Sequence, residues 1–333
     1  MQVLVTGAAG FIGFHTALRL MELGFAVVGV DNMNDYYDVR LKEERLKILR
    51  ENELFDFSFT DLCDRKEVFK IFDGISFDRV IHLAAQAGVR YSLENPEAYV
   101  DSNVIGFHNV LEGCRKQSVP HLVYASSSSV YGANSRVPFA VSDNVDHPVS
   151  LYGATKRANE LMAHSYSYLF DLPTTGLRLF TVYGPWGRPD MAYFLFTSAI
   201  LEGRNIDLFN CGDMRRDFTY IDDVVEVITR ILDVIPNREE DQQGGELHPG
   251  ISPAPFRIYN VGRHETVSLI SFVQMLEKEL GRKANTTMLP MQSGDVPNTH
   301  ADVSQLEKII GFTPTISLQD GIRRFVQWFT EFY

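Results

Sequence analysis

Short apolar, β-branched runs alternate with stretches of helical periodicity through the first half of the chain: QVLVT (2–6), AVVGV (26–30), FDFSF (55–59), RVIHL (79–83), HLVYA (121–125) and TGLRLF (175–180). That alternation predicts an α/β fold, a parallel sheet with crossover helices. Between the first two runs, 14–22 carries Ala17, Leu18 and Met21 on one face and stops at Gly24, as a helix does. Beyond Phe180 the pattern loosens into Gly- and Pro-rich loops, with a helix expected over 192–201, a strand at IDLF (206–209) and a helix in SLISFVQMLEKEL (268–280) closed by Gly281. RRDFTYIDDVVEVITRIL (215–232) and RIYNVG (257–262) again suit the larger sheet. The expectation is therefore a doubly wound parallel sheet built from 1–180 plus 217–262, interleaved with a smaller C-terminal α/β substrate lobe from 181–216 plus 263–333. Pro236 to Pro255 reads as a surface loop.

Composition narrows the picture. With 333 residues, 45% apolar and 22% charged, the chain suits one large domain or two that share a cleft. A formal charge of -12 repels phosphate backbones and anionic headgroups, so nucleic acid and membrane are poor partners. Cys63, Cys114 and Cys211 are odd in number and widely spaced, which signals neither disulfides nor a metal site and predicts buried free thiols. The opening MQVLVTG lacks a basic leader and no apolar run is long enough to span a membrane, so a cytoplasmic protein is expected.

Gly7-Ala8-Ala9-Gly10-Phe11-Ile12-Gly13 follows the first strand and opens the first helix, where backbone amides at a positive helix terminus can approach a pyrophosphate. The second strand ends in Asp31, followed by Asn32, at the position where a carboxylate accepts from an adenosine ribose diol and repels a 2′-phosphate. NAD is the expected cofactor. Asp61 and Leu62 after the third strand, and Leu83, Ala84, Ala85 and Gln86 after the fourth, fall at strand ends where such sheets hold ligands. His82, inside an apolar run without a partner cluster, reads as a packed core histidine.

Tyr152 and Lys156 stand four residues apart in YGATKRANELM, so both project from one helix face. An ammonium near a phenol stabilises the phenolate and lowers its pKa, which makes Tyr152 a candidate general base for a substrate hydroxyl. Ser127, in the run Ser126 to Ser129, can hydrogen-bond the same hydroxyl.

TGAAGFIG, HLAAQAGVR, ASSSSVYG and YGATK resemble the extended short-chain dehydrogenases over essentially the whole chain. DNMNDYYDVRLKEERL, LRLFTVYGPWGRPDMA, RDFTYIDDVVE and GDVPNTHADVS resemble, more narrowly, bacterial UDP-glucuronate 4-epimerases. The resemblance implies a Rossmann-type domain. It also implies that Tyr152 takes the proton from sugar O4 while C4 is transiently oxidised, that Lys156 holds the nicotinamide ribose, and that the helices in 94–116 and 152–170 pair across a twofold axis to give a homodimer.

Related dehydratases carry Asp-Glu after the catalytic Ser/Thr and decarboxylases a nearby Glu; Ser128 and Ser129 stand here instead. The oxidised glucuronate is a β-keto acid, so an epimerase must hold its carboxylate out of alignment with the carbonyl π system. Arg188, with Ser128 and Ser129, could do so; alternatively Arg188 stacks on Trp186 or pairs with Asp190. For the uridine diphosphate the candidates are Thr181, Arg216 and Asp295, the last two equally suited to plain salt bridging; Arg90 lies nearby with its role open. The alternative substrate is UDP-glucose, whose neutral hydroxymethyl group would leave a buried Arg188 uncompensated. A non-catalytic NAD sensor would have no chemical need for Ser127, Tyr152 and Lys156 together.

Overall fold

Alternate residues of the first strand are buried on opposite sides, Val3 and Val5 in one apolar cluster and Leu4 in the other, so both faces of the sheet are covered. In the computed structural model, which describes residues 1–238, 247–292 and 294–333, the strands in chain order begin with β1 (Gln2–Thr6), β2 (Ala26–Asp31), β3 (Phe55–Phe59), β4 (Arg79–His82), β5 (Leu122–Ser127) and β6 (Thr174–Leu179). They continue with β7 (Thr181–Tyr183), β8 (Asn205–Leu208), β9 (Arg215–Tyr220), β10 (Phe256–Val261), β11 (Thr266–Ser268) and β12 (Asn285–Met288). Seven of them form one parallel sheet in the order β10-β6-β5-β4-β1-β2-β3. The order reverses between β1 and β4, which opens a crevice at the carboxyl ends of those strands. This is the doubly wound Rossmann-type sheet expected from the sequence, and RIYNV enters it as β10 beside β6.

The remaining strands build a three-stranded sheet, β11-β9-β7, and a two-stranded one, β12-β8. RRDFTY lies in the three-stranded sheet, paired with Thr181–Tyr183 and Thr266–Ser268, and not in the large one; the helix Ile221–Ile231 that follows returns to pack on Phe11–Glu22. Several boundaries move. The first helix starts at Phe11 rather than Phe14, because extended Gly10 (φ -76, ψ 169) caps it and Phe11 is itself buried. β5 runs on through Ser126 and Ser127, which pair with Arg178 and Leu179, and Thr181 opens β7 instead of lying in a loop. Within the expected loop at 236–255, residues 239–246 lie outside the described residues; its described flanks carry only isolated bridges at His248 and Ile251. Cys114 is buried and Cys63 half-buried, but Cys211 is exposed, at a surface kink where Asn210 and Cys211 both take positive φ.

Two helices bring Asn103 and the candidate residues Tyr152 and Lys156 toward the crevice. One runs from 96 to 117 and passes through a π-helical stretch at Val100–Gly106, which turns buried Asn103 inward. The other, Leu151–Phe170, is capped by Ser150 accepting from the Gly153 amide. Asn103 accepts from the Gln86 amide at 2.8 Å and donates to the Gln86 carbonyl and to Thr155 Oγ1, both at 3.0 Å, lacing the β4 exit to the second helix. His82 is a core histidine as expected, its Nδ1 2.9 Å from Thr6 Oγ1 and its pKa pushed down to about 3 by burial and then by Lys156.

Farther along the second helix, fully buried Glu160 receives Arg178 Nε and Nη2 at 2.8 and 2.9 Å and Ser126 Oγ at 2.6 Å. Burial works against its charge, but Arg178 overrides it and holds the carboxyl below its ordinary range. Arg157 Nη1 also reaches Glu160 at 3.0 Å, so Arg178→Met removes the two-point partner but not all compensation; it is expected to lower the unfolding free energy by about 3 kcal/mol, the low end for breaking a buried pair, with most of the loss recovered when Glu160→Gln is added. Chemical denaturation of the two variants against the parent checks both values.

Candidate active site

The crevice between β1 and β4 deepens into one cavity of about 840 Å³. Every residue nominated from the sequence lines it: the glycine loop, Asp31, Asn32, Asp61, Leu62, Leu83 to Gln86, Ser127 to Ser129, Tyr152, Lys156, and the outlying Arg90, Thr181, Arg188, Arg216 and Asp295.

On the β1 side the loop has no room for side chains. Gly7 takes φ +73, and a Cβ on Gly13 would lie 2.0 Å from the Gly7 carbonyl oxygen. No side chain caps the helix Phe11–Glu22, so its first-turn amides remain for a ligand. Asp31 accepts from the Ala9 amide at 3.1 Å and the Met33 amide at 2.8 Å, which ties the end of β2 to the glycine loop. Asp61 accepts from Asn32 Nδ2 at 3.0 Å and is held below its ordinary pKa by hydrogen bonds from Cys63 and Asn32 that outweigh its burial. These groups fit a dinucleotide: uncapped amides for the diphosphate, and carboxylates at two neighbouring strand ends for the adenosine.

Across the cavity, Lys156 is buried and donates to the Ala125 carbonyl at 2.9 Å; burial pulls its pKa down to about 8. Tyr152 departs from the sequence expectation. Burial raises its pKa, and the groups that pull it back are a hydrogen bond with Ser127 and the charge of Arg188, because the Lys156 ammonium is turned to the β5 backbone.

Arg188 is committed to Asp190, Nε to Oδ1 at 2.9 Å and Nη2 to Oδ2 at 2.6 Å, and Asp190 also accepts from Tyr36 Oη at 3.2 Å. The pairing alternative raised from the sequence is thus the one formed, and it removes the argument that a neutral sugar would leave the guanidinium uncompensated. Asp190 takes the Nε–Nη2 edge, which leaves the Nη1 side for a ligand. At the far end Arg90 pairs with Asp295 at 3.5 Å and lies over the Phe209 ring at 4.8 Å, while Arg216 Nη1 donates to the Arg215 and Pro297 carbonyls. Asp295 pairs with Arg90 and acts on Arg216 only through space, so this end of the cavity carries a surplus of positive charge suited to a diphosphate.

Sequence reasoning missed Tyr36, Asn103 and Arg45. For Arg45 a signal existed: Leu41, Arg45 and Leu49 repeat every fourth residue, so a cation sits on the buried stripe of the helix Val39–Arg50.

A model of the NAD dependent epimerase/dehydratase family matches residues 3–261. The chain belongs to that family. A probable UDP-glucuronate 4-epimerase of Rhizobium meliloti is 51% identical over 334 residues, covering 100% of this chain and 98% of that one. The crystal structure of UDP-glucuronic acid 4-epimerase from Bacillus cereus, in complex with UDP-glucuronic acid and NAD, superposes with a TM-score of 0.87 at 32% identity, covering 100% of both chains. A UDP-glucose 4-epimerase of Thermotoga maritima, solved with UDP-glucose, gives 0.85 at 28% identity, covering 99% of each.

Because a methyl at position 13 collides with backbone, Gly13→Ala must separate the Gly7 peptide from the start of the helix and so distort the glycine loop. The NAD dissociation constant is expected to rise by roughly a hundredfold or more, about 2.8 kcal/mol. Titration calorimetry against the parent protein measures it.

Proposed function

We propose that this protein interconverts UDP-glucuronate and UDP-galacturonate by epimerising C4 of the sugar, with bound NAD. The observation that carries the reading is the position of Arg188: its charge acts on Tyr152, and it lines the same cavity as Ser127, Ser128 and Ser129 while Asp190 holds its Nε–Nη2 edge. In this reading 1–180 with 217–262 hold the cofactor, and 181–216 with 263–333 hold the nucleotide sugar.

NAD supplies the removal of hydride from C4 and its return to the opposite face. The chain's own residues do the rest. Gly7, Gly10, Phe11, Ile12 and Gly13 hold the diphosphate, and Asp31, Asn32, Asp61 and Leu62 the adenosine. Leu83, Ala84, Ala85 and Gln86 let the cofactor pass close to β4, and Lys156 holds the nicotinamide ribose. Tyr152 takes the O4 proton and later gives it back, with Ser127 sharing the hydroxyl. Burial disfavours the phenolate, so the hydrogen bond from Ser127 and the nearby Arg188 guanidinium make proton abstraction accessible. Arg188, Ser128 and Ser129 fix the plane of the substrate carboxylate through charge-assisted bonds of about 1.5–3 kcal/mol each, so that the keto acid keeps its carbon dioxide. Arg216, Arg90, Thr181 and Asp295 hold the uridine diphosphate while the hexose turns.

The likeness to a UDP-glucose 4-epimerase and the compensation of Arg188 by Asp190 support a second reading, UDP-glucose as substrate. For the assembly we favour a homodimer. The helix Leu151–Phe170 exposes Leu161, Leu169 and Phe170, and the neighbouring helix exposes Val100 and Ile105, an apolar surface suited to pairing across a twofold axis. Among the described residues no helix is long and apolar enough to cross a membrane, and the three cysteines are unpaired, which fits a reducing cytoplasm.

Incubation with UDP-glucuronate and no added reductant, followed by chromatography with proton NMR, is expected to yield UDP-galacturonate with no net NADH. Turnover of UDP-glucose alone would assign the second reading. With UDP-glucuronate, Arg188→Ala is expected to raise KM about tenfold or more, the loss of one charge-assisted contact, and to increase the share of decarboxylated pentose product. Unchanged KM and product ratio would remove Arg188 from the carboxylate site.

A further inference from the structure

Arg45 lies outside the chemistry described above, yet it is among the largest fully buried side chains of the molecule. The hydrogen-bond partners of its guanidinium are all neutral. Nη1 donates to the Ala9 carbonyl at 2.9 Å and to Tyr37 Oη at 2.8 Å; Nη2 donates to the Trp186 carbonyl at 2.5 Å and more weakly to that of Gly187 at 3.4 Å. Nε has no partner. A buried cation solvated only by carbonyls and a phenol is costly to keep, and a hydrophobic side chain of the same volume would pack there without that cost. Its two ends lie on different parts of the site. Ala9 belongs to the glycine loop, and Trp186 and Gly187 immediately precede Arg188.

A second donor from the cofactor side acts on the same segment. His15, on the helix that opens with the glycine loop, has Nε2 3.0 Å from the Pro185 carbonyl, and burial followed by Arg45 pushes its pKa down to about 4, which keeps it neutral. Three consecutive carbonyls, 185 to 187, are thus bound by side chains of the nucleotide-binding half. Trp186 takes φ +60, a backbone conformation that a bulky residue adopts only under constraint, and its ring packs against Phe14, Trp328 and Phe332. Hydrogen bonds on one side and aromatic packing on the other hold the strained turn.

We infer that Arg45 is a positioning residue that latches the 184–191 loop, and with it Arg188, to the dinucleotide-binding loop. The planar fork is the reason for Arg: one guanidinium reaches Ala9 and Trp186 together, which an ammonium cannot do. The functional use of the latch rests on the reading of Arg188 as the carboxylate grip. In that reading, a carboxylate kept out of the π plane of an adjacent ketone needs a guanidinium registered against the cofactor, and Arg45 supplies the register.

Hydrogen exchange of the NAD-loaded protein reads the latch, and KM reads what the loop is for. Arg45→Lys retains the charge and is the variant more certain to fold; Arg45→Met removes charge and donors together. Both are expected to speed amide exchange in 184–191 by tenfold or more, while exchange in β1 and β4 stays as in the parent, and to raise KM for UDP-glucuronate more than KM for UDP-glucose. Unchanged exchange in 184–191 in the Lys variant overturns the latch. Faster exchange with unaltered KM for UDP-glucuronate sustains the latch and overturns the carboxylate role of Arg188.

Discussion

The buried carboxylate of Glu160 ties three separate parts of the chain to one point: the helix that bears Tyr152 and Lys156, the end of β5 through Ser126, and the end of β6 through Arg178. Ser127 is the next residue of β5, so its distance from Tyr152 depends on that junction. Arg178 continues the connection, its Nη1 3.1 Å from Tyr131 Oη, which in turn donates to Asn260 of β10 at 2.6 Å. A hydrophobic replacement could stabilise the core equally well, but it would let the helix slide along the sheet. Ionic groups placed here select one register, and acid–base chemistry needs that register to within a fraction of an ångström.

The parts legible from the sequence were those in which one local pattern dictates one local structure. Gly7, Gly10 and Gly13 announce a turn that excludes side chains, Asp31 marks a strand end, and the spacing of Tyr152 and Lys156 places both on one helix face. The strands of the large sheet were recovered almost to the residue because parallel strands buried on both faces are nearly continuous apolar runs. What was not legible depends on partners distant in the chain. The membership of RRDFTY in the small sheet is decided by Thr181–Tyr183 and Thr266–Ser268, neither of which has a strand-length pattern. The π-helical turn that aims Asn103 inward has no compositional mark. Arg45 was hidden by its chemistry: in a charged segment, a cation reads as surface unless its place on the helix stripe is followed.

Arg188 shows why an isolated charge argument fails. A guanidinium beside a phenol and serine hydroxyls suggests an anionic substrate, but Asp190 already balances it. In the proposed function, selectivity would then rest on the remaining edge of the fork and on the orientation Asp190 imposes, and not on relief of a bare charge. Tyr36, bonded to Asp190 and packed against Tyr91, carries that orientation back to the segment following β2.

The sheet is completed out of order. β6 at Thr174–Leu179 is flanked on its outer side by β10 at Phe256–Val261, and a long excursion through the smaller lobe separates them. During synthesis, β6 therefore emerges with a row of free backbone amides and carbonyls well before its neighbour is made. A fragment cut at the apparent end of the cofactor half, near residue 180, would present that row permanently, as an invitation to pair with another copy. On the proposed division of the chain, the two halves thus share a single folding unit, because β10 completes the sheet that β6 begins.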